Sequence, residues 1–173
     1  MPARHAPSLE VPAVSEILQA LYRGDAATAR ELARGAELDI FEAAALGETP
    51  RVRQLLDDDP AFANAFGADG FHPLGLACFF GHADAARLLL EHGADVDALS
   101  KNEHIQTAAI HAAAASGETG VDDATRYELV KLVLDHGADP NLPQGGGFRA
   151  IDTARQSGDE RLELLLNDRG ADD

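Results

Sequence analysis

The sequence predicts an all-α solenoid of about five stacked antiparallel helix pairs joined by short turns. Three observations predict it. The tetrapeptide His-Gly-Ala-Asp occurs at residues 92–95 and again at 136–139, with an echo, Arg169-Gly170-Ala171-Asp172, further on. From Gly93 to Gly137 is 44 residues, and from Gly137 to Gly170 is 33; a period near 33 is that of a helical repeat. Between these marks, apolar residues recur at three- and four-residue spacing in runs too short to be stable helices alone in water. Each pair must therefore bury its apolar face against a copy of itself.

The first pair spans residues 12–35. Val14, Ile17, Leu18 and Leu21 form one apolar stripe, and Gly24-Asp25 gives a stop followed by a new cap. The second pair, 38–65, reads DIFEAAALG and then TPRVRQLLDDDP. In the third, 67–99, Gly70 and Pro73 punctuate a tight turn, and Pro73 suits the first helical position. Leu74, Ala77 and Cys78 line the first helix of this pair, which Gly81 stops; Ala85, Leu88 and Leu89 line the second, which Gly93 ends. The fourth pair, 100–143, begins near His104 and continues through Ala109-Ile110-His111. The fifth, 144–173, runs from Phe148 into LELLLNDRGADD.

Asp69-Gly70, Pro73-Leu74, Ala77, Gly81-His82, Leu88-Leu89-Leu90 and Gly93-Ala94-Asp95 stand at fixed offsets. Residues 67–99 thereby resemble one complete ankyrin repeat, whose pattern runs Asp-Gly-x-Thr-Pro-Leu-His, Gly-His, triple Leu, Gly-Ala-Asp. The resemblance extends over residues 38–98 and 128–172. Residues 59–65, DPAFANA, resemble the variant link of bacterial ankyrin proteins. The first pair resembles an N-terminal capping pair. The fifth resembles a C-terminal cap, since Arg149, Arg155, Arg161 and Asp168 make its last faces polar. The resemblance implies one ankyrin domain over residues 12–173, preceded by a flexible segment, 1–11. It also implies a non-catalytic module that binds a protein partner through a concave groove of turn tips and first helices.

Composition bounds the function. Aromatics are only 5% and Trp is absent, so Ala and Leu must fill the core. No run approaches the ~20 apolar residues of a membrane span, and the first residues hold no apolar segment of signal-peptide type. Cys78 is the single cysteine, which excludes an intrachain disulfide. A cytoplasmic, reducing setting is expected. Net charge is −16, from 30 acidic and 14 basic residues. This disfavours nucleic acid and anionic membranes and favours a partner with a basic surface. Solubility alone is the plainer reading of the charge. A monomer is expected.

Catalytic spacing is absent from the sequence: there is no GxSxG, HExxH, P-loop or GxGxxG. Gly145-Gly146-Gly147 has no Lys and Ser/Thr after it in the required place and no strand before it, so it reads as a turn. Cys78 stands where the repeat usually carries Ala and reads as a small buried hydrophobe. His82, His92, His111 and His136 each have a structural place, and none has a second ligand at metal spacing. Asp57-Asp58-Asp59 lacks the glycine and closing Glu of a calcium loop. No cofactor or metal is expected. The alternative is an enzyme or metal protein using His72, His104, His111 and Cys78, which would have to converge within about 4 Å.

Residues at the turn tips and on the exposed side of the first helices nominate the binding face. They are Asp69, Phe71, Phe79 and Phe80 in the third pair, His104, Ile105 and Thr107 in the fourth, and Phe148, equivalent to Phe71, in the fifth. Ala45 and Leu46, with Ala115 and Ser116, extend the same face. Three of the seven Phe residues thus fall on one repeat, and a contiguous apolar patch in water marks an interaction site. Against this, Phe79 and Phe80 can instead pack under neighbouring helices.

Two departures from the repeat pattern leave alternatives open. The fourth repeat carries 11 extra residues, three before Gly117 and eight after it. The eight form either an acidic functional loop with Glu118, Asp122 and Asp123, or a two-turn extension of the second helix capped by Asp122 or Asp123. His72 and Gly75 stand where the family has Thr and His. Either the turn network is weaker there, or His72 replaces the missing imidazole.

Overall fold

A computed structural model describes residues 13–172. The expected flexible segment, residues 1–11, lies outside the described residues. Among the described residues, ten α-helices form five consecutive pairs: α1 (Glu16–Tyr22) with α2 (Ala26–Ala33), α3 (Ile40–Leu46) with α4 (Thr49–Asp58), α5 (Pro73–Phe79) with α6 (Ala83–Glu91), α7 (Ala109–Ala115) with α8 (Asp123–Asp135), and α9 (Ala150–Ser157) with α10 (Glu160–Asp168). No strand occurs among the described residues, and no helix among them is long and apolar enough to cross a membrane.

Local chemistry sets the helix ends. Ser15, Asp25, Asp122 and Asp159 each accept a hydrogen bond from a backbone N–H three residues on, satisfying a donor that the first turn leaves free. At Gly81, after α5, φ is +85°, and a Cβ there would meet Val121 Cγ2 at 2.6 Å. Only glycine fits both the left-handed backbone and the close approach.

The first helices pack side by side in one layer and the second helices in another. Alanine makes this possible. Ala43, Ala44, Ala45, Ala77 and Ala113 are fully buried, and small side chains let neighbouring helices approach closely. Leu56, Leu89, Ile110, Leu129 and Leu166 fill the space between layers in one continuous core.

Polar side chains lock the stack laterally. Asn64 Oδ1 accepts from Asp95 N–H at 2.7 Å, and Asn64 Nδ2 donates to Gly93 O at 2.9 Å. Asn141 makes the same two bonds to Asp172 N–H and Gly170 O. Asp97 occupies the corresponding place between them and accepts from Asp139 N–H at 3.0 Å. A carboxylate has no second half of this clasp to offer, because it cannot donate.

The extra residues of the fourth repeat form a short turn and a helix extension. Residues 116–119 form a 3-10 turn, Asp122 caps α8, and α8 has 13 residues against 9 in α6. The extension is about one turn rather than two. The turn is tied down: Thr119 Oγ1 donates to Phe79 O at 2.9 Å, and Val121 covers Gly81. The longer α8 carries buried Arg126, whose guanidinium reaches Asp123 at 2.9 Å and Asp159 at 2.6 Å and so joins the fourth pair to the fifth.

Candidate cleft on the first-helix layer

The four first-helix starts after α1 show how the site is built. In three of them, the fourth residue of the turn accepts the N–H of the cap residue: Glu42 from Asp39 at 3.0 Å, His111 Nδ1 from Ala108 at 3.0 Å, and Asp152 from Arg149 at 2.8 Å. The third repeat reverses the bond. Its cap residue, His72, accepts at Nδ1 from Gly75 N–H at 2.9 Å. Both imidazoles then reach the next repeat. His72 Nε2–H donates to Ala98 O at 2.9 Å and His111 Nε2–H to Leu142 O at 2.8 Å, on carbonyls in equivalent places. His72 therefore does replace the imidazole missing at position 75, from three residues earlier.

These bonds fix α5 and α7 side by side, and a cleft of about 450 Å³ opens above them. Its walls are Phe71, Leu76, Phe79 and Ile105, and Gly75, Ala112 and Ala115 keep the floor low. Thr107 and Gln144 lie toward the turn tips, and Glu118 lies at the other end. Ile105 is 53% exposed. Its tip is held from below: Ser100 Oγ donates to Ile105 O at 2.7 Å, and Asn102 Oδ1 accepts from both His104 N–H and Ile105 N–H at 2.9 Å.

Tyr22, from the first pair, is the wall residue that the sequence reading missed. Its ring stacks on Phe80 at 6.1 Å and tilts against Phe71 at 6.2 Å, and its hydroxyl donates to Asp69 at 2.6 Å. Burial, then the hydrogen bond to Asp69 and the charge on that carboxylate, hold this phenol above the usual tyrosine range. Register would have found it. Tyr22 lies seven residues after its cap, Ser15, as Phe79 lies seven after His72.

Phe71, Phe79, Ile105 and Thr107 come together in the cleft. Phe80 caps α5 and is half-buried against Tyr22 and Phe79. Asp69 is half-buried beneath the Tyr22 hydroxyl. His104 is exposed on the tip beside Ile105. Phe148 is 50% exposed and lines a separate depression with Gly146, Gly147 and Arg155. Ala45 and Ser116 are fully buried and leave the face altogether. Ala45 lies six residues after its cap, in register with Cys78 rather than Phe79.

The enzyme or metal reading does not assemble. His72 and His111 commit both ring nitrogens to the backbone, and burial holds both below the usual imidazole range. Cys78 is fully buried, which pushes its thiol up to about 12. A thiol so placed is not the thiolate that attacks or ligates. Among the described residues, no three His, Cys, Asp or Glu side chains group so as to hold a metal ion.

The comparisons with known proteins agree with this architecture. A family profile of ankyrin repeats, three copies long, matches residues 17–100 and again 40–144. The chain is 34% identical over 133 residues to the mouse ankyrin repeat and SAM domain-containing protein 6, which covers 75% of this chain and 13% of that protein. The zebrafish protein of that name is 37% identical over 59 residues, 34% of this chain and 8% of that protein. Mouse ankyrin repeat and SOCS box protein 16 is 38% identical over 76 residues, 44% of this chain and 14% of its own length. The chain thus spans a small part of these relatives. With the paired helices, the imidazole bridges and the recurring Gly-Ala-Asp turns, the match over most of its length makes this chain a member of the ankyrin repeat family.

Proposed function

We propose that the ankyrin stack of residues 12–173 is a non-catalytic interaction module that holds a partner protein in the cleft over α5 and α7. The observation that carries this reading is the cleft wall. Phe71 and Ile105 on the turns and Phe79 on α5 present apolar surface to water in repeats fixed by backbone bridges, and such a patch marks an interaction site. A pre-set wall also reduces the ordering cost of binding. The partner-contacting residues in this reading are Asp69, Phe71, Phe79, Phe80, His104, Ile105, Thr107 and Phe148. The aromatic and aliphatic groups supply affinity, and the polar tips supply selectivity. A net charge of −16 supports a partner with a basic surface and argues against nucleic acid and anionic membranes. The module acts as a monomer in the cytoplasm.

The test is affinity capture from the native cell with the wild-type chain and with Ala115→Trp, which fills the cleft from a half-exposed floor position. The reading requires a partner retained by the wild type and lost by the filled variant. Equal capture by both would place the binding face elsewhere.

A further inference from the structure

The cleft has direction. Its apolar walls stand over α5 and α7, and the one charged side chain among its lining residues is Glu118, contributed by the 3-10 turn after α7. Glu118 and Ala115 also line a second depression, of about 600 Å³, whose other carboxylates are Asp123, Asp159 and Glu160. The cation lining that depression, Arg126, already bridges Asp123 and Asp159. The apolar cleft therefore opens past Glu118 onto a surface where carboxylates outnumber the one cation. Nothing on the cleft lining offers a counter-charge, because His72 and His111 are held by backbone groups.

Scale follows from the helices. α5 and α7 have seven residues each, so the cleft is on the order of 10 Å long at about 1.5 Å per helical residue. An extended peptide covers that distance in about three residues.

We propose that the occupant is an extended segment of a protein partner in which a bulky apolar side chain and a Lys or Arg lie about three residues apart. The apolar group sits between Phe71, Phe79 and Ile105, and the basic group lies over Glu118 at the mouth of the acidic depression. This rests on the cleft being the binding face.

The test is selection of a random twelve-residue peptide display library on the intact chain, followed by binding of the selected peptides as synthetic, dye-labelled copies. Selected sequences should pair a bulky apolar residue with Lys or Arg two to four positions away. Exchanging that Lys for Glu should weaken binding about five- to tenfold at low salt. Glu118 is exposed, so Glu118→Lys should leave folding intact and reverse the preference, favouring the Glu peptide. If selected peptides carry no basic residue, or Glu118→Lys leaves their affinities unchanged while Ala115→Trp abolishes binding, the charge pairing is overturned and the cleft reading stands. If no sequence is enriched, or Ala115→Trp binds the peptides as well as the wild type, both are overturned.

Discussion

At the scale of single residues, the most informative is His72. It occupies a position where the repeat pattern has Thr, and its ring makes both the cap bond to Gly75 and the bridge to Ala98. Replacing it with Ala removes both and leaves a carbonyl unsatisfied. His72→Ala should cost about 1–3 kcal/mol, read as a lower urea midpoint. His104→Ala should cost nothing measurable, because that side chain is exposed and only its backbone N–H is bonded. Acid should expose the same ring. Burial holds His72, His82 and His111 below the usual imidazole range. A base with a depressed folded value contributes stability that is complete above its unfolded value of about 6.5 and is lost as pH falls through the folded one. Denaturation midpoints should therefore decline from pH 7 downward. His72→Asn, which still caps but does not titrate, should flatten that decline. An unchanged slope would mean that the ring takes up protons equally in the folded chain.

At the scale of elements, two contacts between pairs can be tested. Asp97 provides half of the clasp that Asn64 and Asn141 provide in full. Asp97→Asn supplies the missing donor toward the Gly137 carbonyl and should raise stability by about 0.5 kcal/mol, a small shift because the site is partly solvated. A lower melting temperature would show that the carboxylate is preferred for its charge. Arg126 is the second contact. Asp159, its partner, has only 12% of its side chain exposed. Arg126→Ala leaves that carboxylate unpaired and should cost about 3 kcal/mol in chemical denaturation. Arg126→Met should cost less, because it keeps the packing. Equal losses would assign the contribution of Arg126 to its charge rather than its stem.

At the scale of the molecule, five pairs and their order were legible because Gly-Ala-Asp marks the ends of the last three pairs and helical spacing of apolar residues marks the first two. The face was only partly legible. Phe71, Ile105 and Thr107 sit on turns, where position alone predicts access. Rotation about a helix axis was harder to read: Ala45 and Ser116 proved buried, and Tyr22 was overlooked in a pair without the turn motif. The structure also divides the aromatics by burial. Phe79→Ala and Phe80→Ala remove half-buried rings and should lower stability by about 1–3 kcal/mol as well as weaken binding, since partial burial gives less than a full core truncation. Ile105→Ser should weaken binding with little effect on folding, because that side chain is mostly in water already.

The central claim is that partners sit on the first-helix layer. A photoreactive amino acid placed at position 105 on the cleft rim, or at exposed position 131 on α8 of the second-helix layer, tests it directly in the native cell. The account predicts partner cross-links from position 105 and none from position 131; cross-links from position 131 alone would contradict it.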